Sequence, residues 1–226
     1  MQPKKWSSHH ADSSWRMFRI MAEFADGFDR MEQFGPCVSI FGSARTKQDN
    51  PYYDLAEKMA EKLVHEGFGV ITGGGPGIME AGNKGAKKAN GHSVGLHIVL
   101  PNEEGANQYV DHNRTFVFRY FFVRKVMFIK YAQGFVYFPG GFGTMDELFE
   151  VLTLVQTKKI SRVPIILIGK SYWSGLVEWI KDQMLSEKNI NIQDLDLFHI
   201  TNDLDEGVTV IKNHFQNAEL KPNFDW

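Results

Sequence analysis

The chain has one cysteine, Cys37, in 226 residues. A lone thiol excludes an intramolecular disulfide and a four-cysteine zinc site. Its place at the edge of an apolar run suits a small core residue better than a nucleophile. Neither charge sign dominates: 25 Lys and Arg stand against 27 Asp and Glu, a net charge of −2. That balance gives no electrostatic footprint for nucleic acid, although a local basic pocket stays open. Apolar runs such as residues 163–168 are too short to span a bilayer, so no membrane partner is expected. The opening MQPKKWSSHHADSS has positive charge but no apolar core, unlike a secretory signal, and a cytoplasmic location is expected.

Known site motifs are missing too. Gly73-Gly74-Gly75 is followed at the required spacing by Ile78, so no Gly-x-Gly-x-x-Gly occurs. Gly-x4-Gly-Lys-Ser/Thr is absent as well, which argues against a dinucleotide dehydrogenase and a Walker-type nucleotidase. His92, His97, His112 and His199 lack metal-ligand spacing, there is no His-Glu-x-x-His, and no metal is expected. The one Gly-x-Ser-x-Gly, residues 91–95 (GHSVG), opens an expected strand instead of joining a strand to a helix, so it is no nucleophile elbow.

What remains is an ordinary globular composition, 43% hydrophobic and 23% charged, in a chain long enough to bury roughly 70% of its unfolded surface. Residues 1–14 are polar and expected to be a flexible N-terminus. Apolar residues at helical spacing predict a helix over 15–31, stopped by Gly35-Pro36. Short apolar runs then alternate with helical stretches. Strands are expected at 38–41, 68–72, 93–100, 134–138 and 164–168, with a weak one at 198–200. Helices are expected at 52–66, 78–89, 122–132, 144–158, 172–185 and 204–217. Residues 102–114 read as irregular, and 115–120 as ambiguous. Continuous apolar strands between helices of 10–15 residues indicate buried parallel strands in βαβ units. Residues 15–226 are therefore expected to form a single doubly wound, Rossmann-like α/β domain with an added N-terminal helix.

In such a sheet ligands bind outside the carboxyl ends of the strands. Three of those ends are glycine-rich: Gly42-Ser43-Ala44-Arg45, Gly73-Gly74-Gly75-Pro76-Gly77, and Pro139-Gly140-Gly141-Phe142-Gly143-Thr144. Glycine lets backbone approach a ligand closely, and helix N-termini offer amides suited to phosphate. Together the three loops point to a phosphorylated ligand. Thr144 and Glu147 admit two readings: a capping box in which Glu147 bends back to the Thr144 amide, or an acid placed for chemistry. An acid beside an anion site needs a cation nearby. Arg124-Lys125 is the obvious candidate, with Arg45, Arg114 and Arg119 as others; a solvated helix face is the alternative for the pair.

Three segments, residues 73–86 (GGGPGIMEAGNKGA), Arg124-Lys125 and residues 139–147 (PGGFGTMDE), resemble the Lonely Guy (LOG) family of cytokinin-activating phosphoribohydrolases, also labelled possible lysine decarboxylases. The resemblance spans about residues 37–185, and the long N-terminal helix and the 102–120 insert look like the longer bacterial branch. It implies hydrolysis of the N-glycosidic bond of a purine nucleoside 5′-monophosphate, AMP or an N6-substituted AMP, to free base and ribose 5-phosphate. The family's catalytic pair falls on Arg124 and Glu147. Substrate contacts are expected from Gly42, Ser43, Gly74, Gly75, Glu80, Lys125, Gly140, Gly141, Gly143 and Thr144. Of these, the amides of Gly140, Gly141 and Gly143 and the Thr144 hydroxyl would take the phosphate, and Glu80 the ribose. Phe121-Phe122-Val123 departs from the Met-x-x often found before the Arg-Lys pair. No cofactor is implied; a pyridoxal enzyme would need a Schiff-base lysine, and no His-Lys dipeptide occurs. A homodimer or larger homo-oligomer is implied, with the Phe-rich residues 116–122 serving either as its contact or as internal core. The competing reading is a catalytically inactive nucleotide-binding sensor of the same fold.

Overall fold

The computed structural model describes residues 10–100, 105–215 and 220–224. Seven strands form its sheet: β1 (Cys37–Phe41), β2 (Gly69–Thr72), β3 (Ser93–Ile98), β4 (Thr115–Phe118), β5 (Ala132–Tyr137), β6 (Ile165–Ile168) and β7 (His199–Thr201). Their order is β4-β3-β2-β1-β5-β6-β7 and every pairing is parallel. The helices are α1 (His10–Met31), α2 (Pro51–His65), α3 (Ile78–Lys88), α4 (Phe121–Lys130), α5 (Phe142–Gln156), α6 (Lys170–Trp179) and α7 (Leu204–His214).

Because side chains alternate along a strand, each strand feeds two cores. Val38 and Ile40 of β1 join Val136 of β5 and the inner faces of α2, α3 and α7, through residues such as Met59, Leu63, Ile78 and Ile211. Phe41, Phe135 and Tyr137 point the other way, into a core completed by Val123 and Met127 of α4, Leu148 and Val151 of α5, and Trp173 of α6. Helices thus cover both faces, the doubly wound architecture expected for continuous apolar strands. Buried Ser39 is accommodated in β1 by donating to the Phe128 carbonyl at 3.2 Å. Cys37 is a core residue, its thiol pushed up to about 12 by burial.

Several boundaries differ from expectation. Helix α1 begins at His10, within the stretch expected to be flexible; residues 1–9 lie outside the described residues, as do 101–104 and the end of the last expected helix at 216–217. Residues 115–118 are an edge strand, on which Phe116 and Phe118 are buried while Val117 is exposed. The helix expected at 172–185 starts at Lys170 and continues past Trp179 as a π-helical turn over Ile180–Leu185. Helix α1 is bound to the edge through backbone: the Glu23 carboxylate accepts from the Arg119 amide at 3.0 Å, and Arg30 donates to the Thr115 carbonyl at 3.0 Å.

Strand order reverses between β1 and β5, since β2, β3 and β4 lie to one side and β6 and β7 to the other. The loops leaving those two strands diverge there and open a crevice, the place where doubly wound sheets take their ligands.

Candidate active site

Three loops meet at that crevice, and Ser43 ties them together. Its amide donates to the Pro139 carbonyl at 3.0 Å, and its own carbonyl accepts from the Ile78 amide at 3.1 Å. Its hydroxyl accepts from the Arg45 amide at 3.1 Å. The approach leaves no room for side chains: a Cβ on Gly77 would sit 2.4 Å from the Ser43 carbonyl oxygen, and one on Gly42 would sit 2.6 Å from Ile78. Gly77 also holds φ of 69°, in the region glycine favours.

The resulting cleft has a volume of about 960 Å³. It is lined by nine of the residues expected at the site: Gly42, Ser43, Gly75, Arg124, Gly140, Gly141, Gly143, Thr144 and Glu147. Gly74, Glu80 and Lys125 do not line it. Gly74 turns the loop with φ of 71°, its amide donating to the Thr72 hydroxyl at 2.9 Å. The Glu80 carboxylate accepts from Tyr53 at 2.8 Å and Gln48 at 2.9 Å. Lys125 is paired with Asp146 at 2.9 Å and Glu150 at 3.0 Å. The cleft lining includes no lysine, so among the described residues none is placed there to form a Schiff base. No group of three metal-ligating side chains occurs among the described residues.

The capping-box reading of Thr144 and Glu147 is incorrect. Helix α5 starts at Phe142 with Gly141 as its N-cap and no side-chain cap, and its first intrahelical bond runs from the Met145 amide to the Gly141 carbonyl at 3.1 Å. The amides of Phe142, Gly143 and Thr144 precede that bond and point out of the helix start. Thr144 lies one turn in, packed so tightly on Gly140 that a Cβ there would come 2.0 Å from its hydroxyl oxygen. Gly141 and Gly143 differ: a Cβ on either would meet nothing within 4 Å. Neither packing nor positive φ requires glycine at those two positions, and their lack of side chains keeps the space before the helix start open.

Glu147 is 5% exposed, and its Oε2 has no hydrogen-bond partner among the described residues. Burial pushes its carboxyl up to about 7; the charges of Lys125 and then Arg124 oppose the rise without cancelling it. Arg124 stands in the first turn of α4, its guanidinium 4.9 Å from the centre of the Phe121 ring and 5.6 Å from that of Phe128. Its Nη1 also lies 3.9 Å from where a Cβ on Gly73 would be. The helix after β5 and the helix before it thus bring an acid and a guanidinium to one cleft. Sequence reasoning missed Tyr172, whose hydroxyl donates to the Gly140 carbonyl, and the apolar wall of Met79, Leu100, Phe128 and Met145. The position of α6 after β6, at the same sheet edge, was the available signal for Tyr172.

Fold and site together define a doubly wound α/β protein with an anion-receptive cleft at its topological switch point, holding an acid and a guanidinium. The family model described as possible lysine decarboxylase matches residues 79–211, more than half of the chain. The chain belongs to this family, the LOG family. It is 24% identical over 208 residues to a bifunctional cytokinin biosynthesis protein of Fusarium pseudograminearum, covering 84% of this chain and 42% of that protein. It is 27% identical over 147 residues to a probable cytokinin riboside 5′-monophosphate phosphoribohydrolase of Oryza sativa subsp. japonica, covering 63% of this chain and 58% of the relative. The chain thus spans about half the length of these curated relatives. A solved structure of the molybdenum cofactor carrier protein of Chlamydomonas reinhardtii superposes with a TM-score of 0.58 at 21% identity, over 79% of this chain and 97% of that one. At that identity the likeness is one of fold.

Proposed function

We propose that the protein hydrolyses the N-glycosidic bond of a purine nucleoside 5′-monophosphate, AMP or an N6-substituted AMP, releasing the base and ribose 5-phosphate. The observation that carries this reading is the buried carboxyl of Glu147, beside Arg124 in a cleft whose other wall is a bare helix start. Membership of a family whose curated relatives are named as phosphoribohydrolases supports it.

Breaking the bond from ribose C1′ to the base develops positive charge on the sugar, as in other glycoside cleavages. The ionised Glu147 carboxylate stabilises that charge and takes a proton from the attacking water, whose oxygen ends on C1′; the base leaves with the electron pair of the C1′–N bond and takes up a proton, while Glu147 returns its own to solvent. A carboxyl pushed up to about 7 suits a base working near neutral pH, since efficiency peaks when the catalytic pKa lies near the operating pH. Arg124 holds the substrate and keeps enough Glu147 ionised. The phosphate sits before Gly140, Gly141, Gly143 and Thr144, where outward amides and the positive end of the helix dipole favour an anion. Gly42, Ser43 and Gly75 complete the cradle. Gly74, Glu80 and Lys125 act from behind it, fixing the loop and the two helix starts.

The same reading places the protein in the cytoplasm as a homodimer or larger homo-oligomer. Supporting assembly, Phe122 and Val117 are exposed, whereas Phe116 and Phe118 belong to the core. Light scattering tests the assembly, and a monomeric mass excludes it. Incubation with AMP, adenosine and N6-substituted AMP, followed by chromatography of the bases, tests the activity; absence of free base from every monophosphate would refute it.

A further inference from the structure

The proposed chemistry leaves one charged group of the cleft without a task. Two guanidiniums line it, those of Arg124 and Arg45, and Glu147 is the carboxylate among the lining residues. Arg124 is committed, stacked between Phe121 and Phe128 and offsetting the burial of Glu147. A nucleoside monophosphate brings about two negative charges at neutral pH. The positive end of a helix supplies roughly half an elementary charge, so the amides before α5 do not balance the phosphate.

Arg45 is the other cation lining the cleft. The turn that carries it is fixed: its amide donates to the Ser43 hydroxyl at 3.1 Å, and the Thr46 amide reaches the Ser43 carbonyl at 3.4 Å. On one side the Ser43 amide holds Pro139, which opens the loop into α5, at 3.0 Å. On the other, Gly77 at the start of α3 lies against the Ala44 carbonyl, where a Cβ would sit 2.8 Å away. Residue 45 therefore leaves a rigid turn between two helix N-termini, with an exposed side chain. A planar guanidinium with several donors matches a phosphate better than a point charge does.

We propose that Arg45 supplies the second cation of the cleft and pairs with the 5′-phosphate. This rests on the phosphoribohydrolase reading and names a phosphate contact of that same site. The competing assignment is a solvated surface charge.

The test compares the intact chain with Arg45→Gln and Arg45→Lys, with circular dichroism to verify folding. In Arg45→Gln, KM for AMP should rise about 10- to 100-fold, the loss expected for a charge-assisted pair, with kcat within about threefold. Arg45→Lys should recover part of that loss. Any residual cleavage of adenosine, which lacks the phosphate, should be the same in both proteins. Ribose 5-phosphate titrated calorimetrically should bind wild type and lose affinity by the same factor in Arg45→Gln. An unchanged KM, a fall confined to kcat, equal loss on adenosine or unchanged ribose 5-phosphate affinity would each overturn the assignment. Should wild type release no base from AMP, the phosphoribohydrolase reading fails, yet the ribose 5-phosphate titration still decides Arg45: loss of binding in Arg45→Gln upholds it, and equal or absent binding overturns it.

Discussion

Replacing Glu147 by glutamine should stabilise the folded protein, and only at the pH where the acid is charged. The carboxyl has an ordinary value of 4.5, and burial pushes it up to about 7 in the folded chain. A difference of that size, at about 1.36 kcal/mol per pH unit, makes its ionisation about 3 kcal/mol harder in the folded than in the unfolded chain. Between pH 4.5 and about 7 the folded chain keeps a proton that the unfolded chain has released. Stability therefore falls as pH rises through that window and levels off above it. Glutamine has the shape of the neutral acid and never ionises. Urea unfolding of wild type and Glu147→Gln, without ligand, should give similar midpoints near pH 4.5. At pH 8 the variant should be more stable by up to about 3 kcal/mol. Contributions from titrating groups not coupled to Glu147 cancel in the difference. A difference independent of pH, or a variant less stable than wild type at pH 8, would refute the argument that this buried carboxylate is strained by its surroundings.

Two further outcomes follow from the same geometry. Gly140→Ala should destabilise the fold by about 1–3 kcal/mol and lower activity, because its methyl would meet the Thr144 hydroxyl at 2.0 Å; a melting temperature equal to wild type would count against that packing. Arg124→Gln should lose at least about 100-fold in turnover while remaining folded. Removing a charge that lowers the Glu147 value should also move the acid limb of any residual pH profile upward; a downward shift would contradict the pairing of the two groups.

Strands β1, β2, β5 and β6 were legible because they are buried on both faces, and a continuous apolar run between glycines admits few other readings. Strand β4 was not, because an edge strand of four residues with one exposed position carries too little pattern to separate it from helix. The π-helical turn at Ile180–Leu185 was invisible for a similar reason, since apolar spacing does not distinguish it from the α-helix it extends. The start of α5 was misread by two residues. Thr144 and Glu147 have the spacing of a cap, but the helix opens on Gly141 without a side-chain cap, and nothing local separates these cases. Strand order, and with it the meeting of the β1 and β5 loops, depends on pairings distant in sequence. The glycine loops and the acid and guanidinium were nevertheless visible as residue types, while the withdrawal of Glu80 and Lys125 into their own partners was not.

In the proposed function the Glu147 carboxylate, in a cleft that also holds the bare start of α5, drives release of the base from a nucleoside monophosphate. The most direct measurement follows adenine and ribose 5-phosphate released from AMP by wild type and by Glu147→Gln at pH 8, where the variant is expected to be the more stable protein. Wild type should release equal amounts of both products, and the variant at least about 100-fold less. A folded Glu147→Gln protein that releases adenine at the wild-type rate would contradict that role for Glu147.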